Sequence, residues 1–233
     1  MLRLALGSPF RSAAIAVSEY AGEISTVHRD KWRVVPDAVS AGPRRPDNDC
    51  GQPPSIGAVV NQRATKGLDI LANVIAGCDD LGLKWSVFGS AVDRDANHFV
   101  RHQRDRIDKS ARSSIVDFRG VVPDLKLELQ ALDALVLTSR RESFSRVAAE
   151  SMLAGVPLVA PLAPGLTDTI AGGEFAATYS VGDHAAACEA LRSVLANYRL
   201  SLRKATRART FAAQRFAPED VCDDVIAAYK ELL

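Results

Sequence analysis

The chain has 233 residues, 47% of them hydrophobic, with a formal net charge of +1. That length can bury a full core but is too short for two large domains. A near-neutral balance lacks the basic excess that would make nucleic acid a general partner.

Cys50, Cys78, Cys188 and Cys222 are far apart, without Cys-x-x-Cys spacing, which suits reduced thiols and a cytoplasmic setting. At the N-terminus an apolar run is broken by Gly7, Ser8, Pro9 and Arg11, short of the ~7–15 apolar residues of an export signal, so no signal peptide is expected. Elsewhere no uncharged apolar run approaches the ~18–20 residues that span a bilayer. Residues 12–35 read as a strand (Ala13–Val17), a short helix from an N-cap at Ser18, and a strand (Trp32–Val35). Three such small elements cannot bury a core of their own and must pack on something else. Residues 36–54 hold five prolines among Gly, Asp and Asn with no apolar periodicity, and read as a linker.

From Ser55 onward strands alternate with helices, the pattern of a parallel sheet covered by helices. Strands are expected at Ile56–Val60, Trp85–Phe88, Ser114–Phe118, Ala134–Leu137 and Leu158–Ala160, with a short sixth closed by Tyr179. Between them lie a helix over Lys66–Ala76 with apolar Leu68, Leu71, Ala72 and Ile75 on one face, a heavily charged helix over Val92–Arg112, and a short helix after Pro123. Another helix runs near Ser145–Ala154, and three close the chain over roughly 184–197, 199–213 and 218–232. The fold class is α/β: a Rossmann-like parallel sheet of about six strands with helices on both faces. The expected division is 1–36, a linker over 37–54, and a main domain over 55–233.

Open α/β sheets bind ligands beyond the carboxyl ends of their strands, where strand order reverses. After the first main strand come Arg63 and Lys66, two cations ahead of a helix; plain surface charge in a turn is the competing reading. The loop has neither the G-x-x-x-x-G-K-[ST] of a P-loop nor a G-x-G-x-x-G. Gly120 and Val121 follow the third strand, where a glycine lets backbone approach a flat ligand such as a nucleobase; a tight turn explains it equally well. After the fourth strand come Glu142 in the loop and Glu150 in the following helix, placed to face one cavity with the amides of Ser145, Arg146 and Val147 between them. A carboxylate can accept two ribose hydroxyls, and helix-start amides can take a diphosphate. The alternative makes both glutamates solvent-facing residues favoured by the helix dipole. His28, His98, His102 and His184 are scattered, and the His98/His102 pair has no obvious third ligand, so no metal site is expected.

Taken in order, Ile56-Gly57, Lys66-Gly67, Val87-Phe88-Gly89, Val116-Asp-Phe-Arg-Gly120 and Glu142-x-Phe144-Ser145 followed by Glu150-Ser-Met152-Leu-Ala-Gly155-Val-Pro157 resemble the C-terminal, donor-binding domain of retaining GT-B glycosyltransferases of family four. The pattern of two glutamates eight apart, followed by Met-x-x-Gly-x-Pro, is its most specific part. The resemblance implies transfer of a sugar from a UDP- or GDP-sugar with retention, and no metal. Glu150 would hold the ribose hydroxyls and Glu142, the catalytic candidate, would contact the transferred sugar. Lys66 and Arg63 would neutralise the diphosphate together with the amides of Ser145, Arg146 and Val147. Gly57, Gly89, Gly120, Val121 and Phe144 complete the implied donor site.

The sequence departs from the family at two motif positions. Ala58 stands where the family usually has Arg after the first-strand glycine, and Ser145 where it usually has Gly. The family also builds its acceptor site on a separate N-terminal domain, of which residues 12–35 look like the last strand, helix and return strand. The expected partners are therefore an acceptor-domain subunit or a second copy, docking on apolar surface from residues 12–35 and from Val221, Val225 and Tyr229 of the last helix. The basic run Arg203–Arg209 is a candidate for peripheral contact with the inner face of a membrane, against the plainer reading of a solvated helix face. A non-catalytic regulatory subunit that keeps the nucleotide-sugar fold is the alternative function.

Overall fold

The computed structural model describes residues 2–5, 12–28, 32–61, 63–90 and 98–232. The first part of the expected charged helix, Val92 to Asn97, and the interrupted stretch at Gly7–Arg11 lie outside these residues.

The main unit is built on β4 (Ser55–Val59), β5 (Lys84–Phe88), β6 (Ile115–Gly120), β7 (Ala134–Val136), β8 (Leu158–Pro161) and β9 (Ala177–Tyr179), after a smaller sheet of β1 (Leu2–Ala5), β2 (Ser12–Ala16) and β3 (Trp32–Val34). The six strands are all parallel, in the order β6-β5-β4-β7-β8-β9. The chain moves outward from β4 through β5 to β6, then returns to the other side of β4 with β7. Strand order reverses between β4 and β7, and the loops leaving those two strands face each other across the mouth of the sheet.

Helices α2 (Leu68–Gly77), α3 (His98–Ser110) and α7 (His184–Ala196) cover one face, and α4 (Leu125–Leu129), α5 (Arg146–Ala154) and α8 (Tyr198–Arg215) the other. The four apolar residues expected on one face of α2 are buried, and Ile70 and Val74 join them, so the helix is wrapped on two sides. The central strands are buried on both faces; β6, at the edge, exposes Ile115, Asp117 and Arg119 in alternation, the charged edge that discourages pairing with another chain. A four-residue helix, α6 (Leu166–Thr169), was not legible from the sequence pattern.

In the small unit, Ser18 caps α1 (Glu19–Glu23) as expected, its hydroxyl accepting from the Ala21 N–H at 3.0 Å. β2 pairs with β1 antiparallel and with β3 in parallel; β1 was not foreseen. The expectation of exposed apolar surface needs correction in part: Ile24 and Ile226 are exposed, but the rest of the expected surface is not. Ile15 and Val35 pack against Val221 and Ala228 of α9 (Pro218–Leu232), with Val225 and Tyr229 at the margin, so the two candidate patches cover each other.

Residues 37–54 have no helix or strand, yet they are anchored along the main unit. The Val39 N–H donates to the Phe216 carbonyl and the Arg45 N–H to the Ala154 carbonyl, both at 2.8 Å. Arg45, 6% exposed, pairs with Asp133 at 2.8 Å and donates to the Leu132 and Pro46 carbonyls. No helix among the described residues is long and apolar enough to cross a membrane.

Candidate functional site

A cleft of about 640 Å³ opens at the β4/β7 mouth. One wall comes from the loop after β4, with Asn61, Arg63, Thr65 and Lys66, and from the loop after β7, with Arg141, Glu142 and Ser143. Tyr20 and Ile24, on α1 and at its C-terminal end, complete the lining.

The two loops meet at backbone contact. Gly67 has φ +66°, and a Cβ there would overlap the Thr138 carbonyl oxygen, so a side chain would force the loops apart. Thr138 Oγ1 donates to the Lys66 carbonyl at 3.0 Å. Lys66 Nζ then reaches Glu142 Oε1 at 2.5 Å, and Ser139 Oγ donates to the same oxygen at 2.7 Å. From behind, the Glu142 N–H donates to the Pro164 carbonyl at 2.9 Å, and Gly165 leaves room for the Glu142 carbonyl. Among the described residues, neither Arg63 nor Arg141 has an ion-pair partner, so the cleft keeps an excess of positive charge beyond the Lys66–Glu142 pair.

Two further site candidates, Gly57 and Phe144, lie elsewhere in structural terms. Gly57 sits inside β4, where a Cβ would meet the Leu132 side chain; it is a packing glycine and does not reach the mouth. Ala58, beside it, is 1% exposed, so its methyl group fills core and does not stand in for a cleft cation. The first residue after β4 that lines the cleft is Asn61, whose Oδ1 accepts from the Arg63 N–H at 2.9 Å. Phe144 is buried, edge-on to Phe216 with ring centroids 5.3 Å apart, and fastens the loop to the core.

Ser145 caps α5, accepting from the Ala148 N–H at 3.4 Å, but its own N–H is taken by Thr169 Oγ1 at 3.2 Å and is not free for a ligand. The first-turn amides of Arg146 and Val147 keep no protein acceptor among the described residues. Glu150, one turn on, lies outside the lining of the 640 Å³ cleft. Burial raises its carboxyl above the ordinary value of 4.5; Arg146, 3.9 Å away, and Lys126 pull it back, and Asp124 adds to the rise. Gly89 and Gly120 mark the exits of β5 and β6, both with positive φ, the Gly89 N–H donating to the Gly120 carbonyl at 2.7 Å. Val121, 72% exposed, stands beside them.

Arg141, Tyr20 and Ile24 escaped the sequence reading. Arg141 carried a signal in its place beside Glu142, but Tyr20 and Ile24 come from a unit more than 30 residues before β4 and are brought to the cleft only by tertiary packing. Among the described residues no group of three or more His, Cys, Asp or Glu is placed to hold a metal ion.

Comparison with solved structures places this architecture in a known fold. HepE from Anabaena, in a structure with UDP-glucose, superposes with a TM-score of 0.79 at 19% identity, over 94% of this chain and 64% of that one. Sucrose-phosphate synthase from Thermosynechococcus elongatus gives 0.77 at 20% identity, over 94% and 57%. TarM from S. aureus, in a structure with UDP and alpha-GlcNAc-glycerol, gives 0.77 at 15%, over 93% and 43%. At these identities the likeness is one of fold, a Rossmann-like half of the GT-B architecture. A curated relative, an uncharacterized 41.2 kDa protein in the cps region of Klebsiella pneumoniae, is 27% identical over 167 residues, which is 71% of this chain and 43% of that protein. The chain thus spans less than half the length of its curated relative and under two thirds of these structural ones. The family model for glycosyl transferases group 1 matches residues 53–197, well over half of the sequence and the whole stretch that forms the β4/β7 mouth, and the chain belongs to that family.

Proposed function

We propose that this chain binds a nucleotide-sugar and forms the donor-binding half of a retaining glycosyltransferase. The observation that carries the reading is the cleft at the strand-order reversal, where Lys66 and Glu142 meet and Arg63 and Arg141 add unpaired positive charge. A diphosphate takes up such charge, and the free Arg146 and Val147 amides at the start of α5 add donors of the same kind. Fixed cations and amides aimed at a leaving diphosphate are a recognised source of transition-state stabilisation. Glu142 then lies at the transferred sugar and Glu150 at the ribose hydroxyls, with Gly89, Gly120 and Val121 offering backbone and apolar surface to the base. HepE and TarM were both solved with UDP or a UDP-sugar, which supports uridine as the base. Residues 55–233 act as the donor unit, and residues 1–36 supply Tyr20 and Ile24 on the acceptor side.

Titration of the full chain with UDP and UDP-glucose, with GDP as control, tests the reading. A ligand at 100 times its Kd adds about 2.7 kcal/mol, or roughly 5–10 °C in melting temperature for a chain of this size. Glu150→Ala should remove the shift, and no shift with any nucleotide would defeat the reading. Binding without sugar hydrolysis or transfer, alone or with an acceptor-domain protein, would favour the non-catalytic alternative. Ala58 no longer supports that alternative, because it is buried in β4.

A further inference from the structure

We propose that Arg140 is a positioning residue: it clamps the Lys66 turn to the loop that carries Glu142, setting the spacing of that cation and carboxylate from outside the cleft. The inference rests on Lys66 being the diphosphate contact.

Arg140 stands between Ser139, bonded to Glu142, and Arg141, which lines the cleft, yet it does not line the cleft itself. Its guanidinium forks onto the Asp69 carboxylate, at 3.0 Å from Nη1 and 2.6 Å from Nη2, and Nη1 also donates to the Ala64 carbonyl at 2.7 Å. Asp69 lies in the first turn of α2, where the helix dipole favours a carboxylate, and α2 is packed into the core. One side chain therefore ties down the segment on both sides of Lys66.

The turn needs such a tie. Ala64–Lys66 is a three-residue 3₁₀ turn with no buried residue and no side-chain cap. All three of its carbonyls are bonded from the β7 exit: Ala64 by Arg140 Nη1, Thr65 by the Arg140 N–H at 2.7 Å, and Lys66 by Thr138 Oγ1 at 3.0 Å. Lysine is a flexible point charge, so the place of Nζ depends on the backbone that carries it. A shift of about 1 Å in such a group is enough to cost catalysis or affinity. Arg140's planar fork reaches helix and turn together, which a lysine cannot reproduce.

The test compares the full-length wild type with Arg140→Gln and Asp69→Asn, which break the clamp from opposite ends. Both keep the Arg140 N–H bond to Thr65, so the effect is partial. Amide hydrogen exchange of the free proteins should rise about tenfold at Lys66 and Gly67 and stay unchanged at Leu71 and in β7. The affinity for UDP should fall about tenfold while that for uridine, which lacks the diphosphate, is unchanged. Unchanged exchange at Lys66 and Gly67, or exchange raised equally through α2 and β7, overturns the proposal. So does a parallel loss of UDP and uridine affinity, the mark of general loosening. If wild type binds no UDP, the donor reading fails, and the exchange measurement alone then decides whether Arg140 holds the turn.

Discussion

Glu150, the proposed ribose contact, is a residue whose burial works against the fold that carries it. Burial raises its carboxyl, so the ionised form is the less favoured one in the folded chain. Between the unfolded and folded values the native state holds more proton than the unfolded one, so its contribution to stability increases as pH falls through that window. Glu150→Gln should therefore raise the urea midpoint at pH 7, lose that advantage below about pH 4, and abolish the gain from UDP. A destabilised Gln variant at pH 7 would point to a structural carboxylate instead. At Gly67 the argument is steric: Gly67→Ala puts a Cβ against the Thr138 carbonyl in a left-handed conformation, a cost of about 1–3 kcal/mol. UDP binding should weaken more than the fold does, because the displaced backbone carries Lys66, and paired melting and titration curves would separate the two.

At the scale of elements, one buried group gathers several of the bonds that anchor residues 37 to 54. Asp133, just ahead of β7, accepts from Arg45 Nη2, the Ser55 and Gly51 N–H groups and the Tyr198 hydroxyl. It joins the linker, the start of β4, the start of β7 and α8. Asp133→Ala leaves the Arg45 guanidinium buried without its partner, which costs about 3–5 kcal/mol. Urea unfolding should show that loss, and proteolysis should cut first near Pro46. Much of the strand and helix order was legible from apolar periodicity, because a helix or strand must turn its apolar residues to one core. The linker's anchoring was not, because Arg45 and Asp133 are 88 residues apart and neither has a periodic neighbour to announce it.

For the molecule as a whole, acid sensitivity is expected from carboxylates that gain partners on folding. The Arg140 fork lowers Asp69, the Arg192 guanidinium lowers Asp80, and the Ser114, Ser113 and Arg112 amides lower Asp79, all from an ordinary value of 3.8. Their folded values lie below the unfolded ones, so the stability they add is present above about pH 4 and is lost as pH falls through the folded values. The unfolding midpoint should stay nearly level from pH 7 to 5 and drop below pH 4; a drop already at pH 6 would mean that other groups govern it. The small sheet is held by the same core logic. Val221→Asp would put a charge between α9 and Ile15, loosening α9 and the small sheet while leaving the six-stranded sheet intact, as exchange of β2 and β4 amides would report.

By itself the sequence determined the alternation of strand and helix, the cap at Ser18, the place of Glu142 and Glu150 around a helix start, and the family pattern that spans them. Each of these is local, written within about one element by spacing or by a side chain beside its own backbone. The tertiary structure alone decided that Gly57 and Ala58 belong to the core, that Phe144 is an anchor, and that Ser145 spends its N–H on Thr169. It also brought Tyr20 to the cleft and turned Arg140 onto Asp69. These depend on which strands become neighbours, and the reversal of order between β4 and β7 is set by how the whole sheet buries its faces.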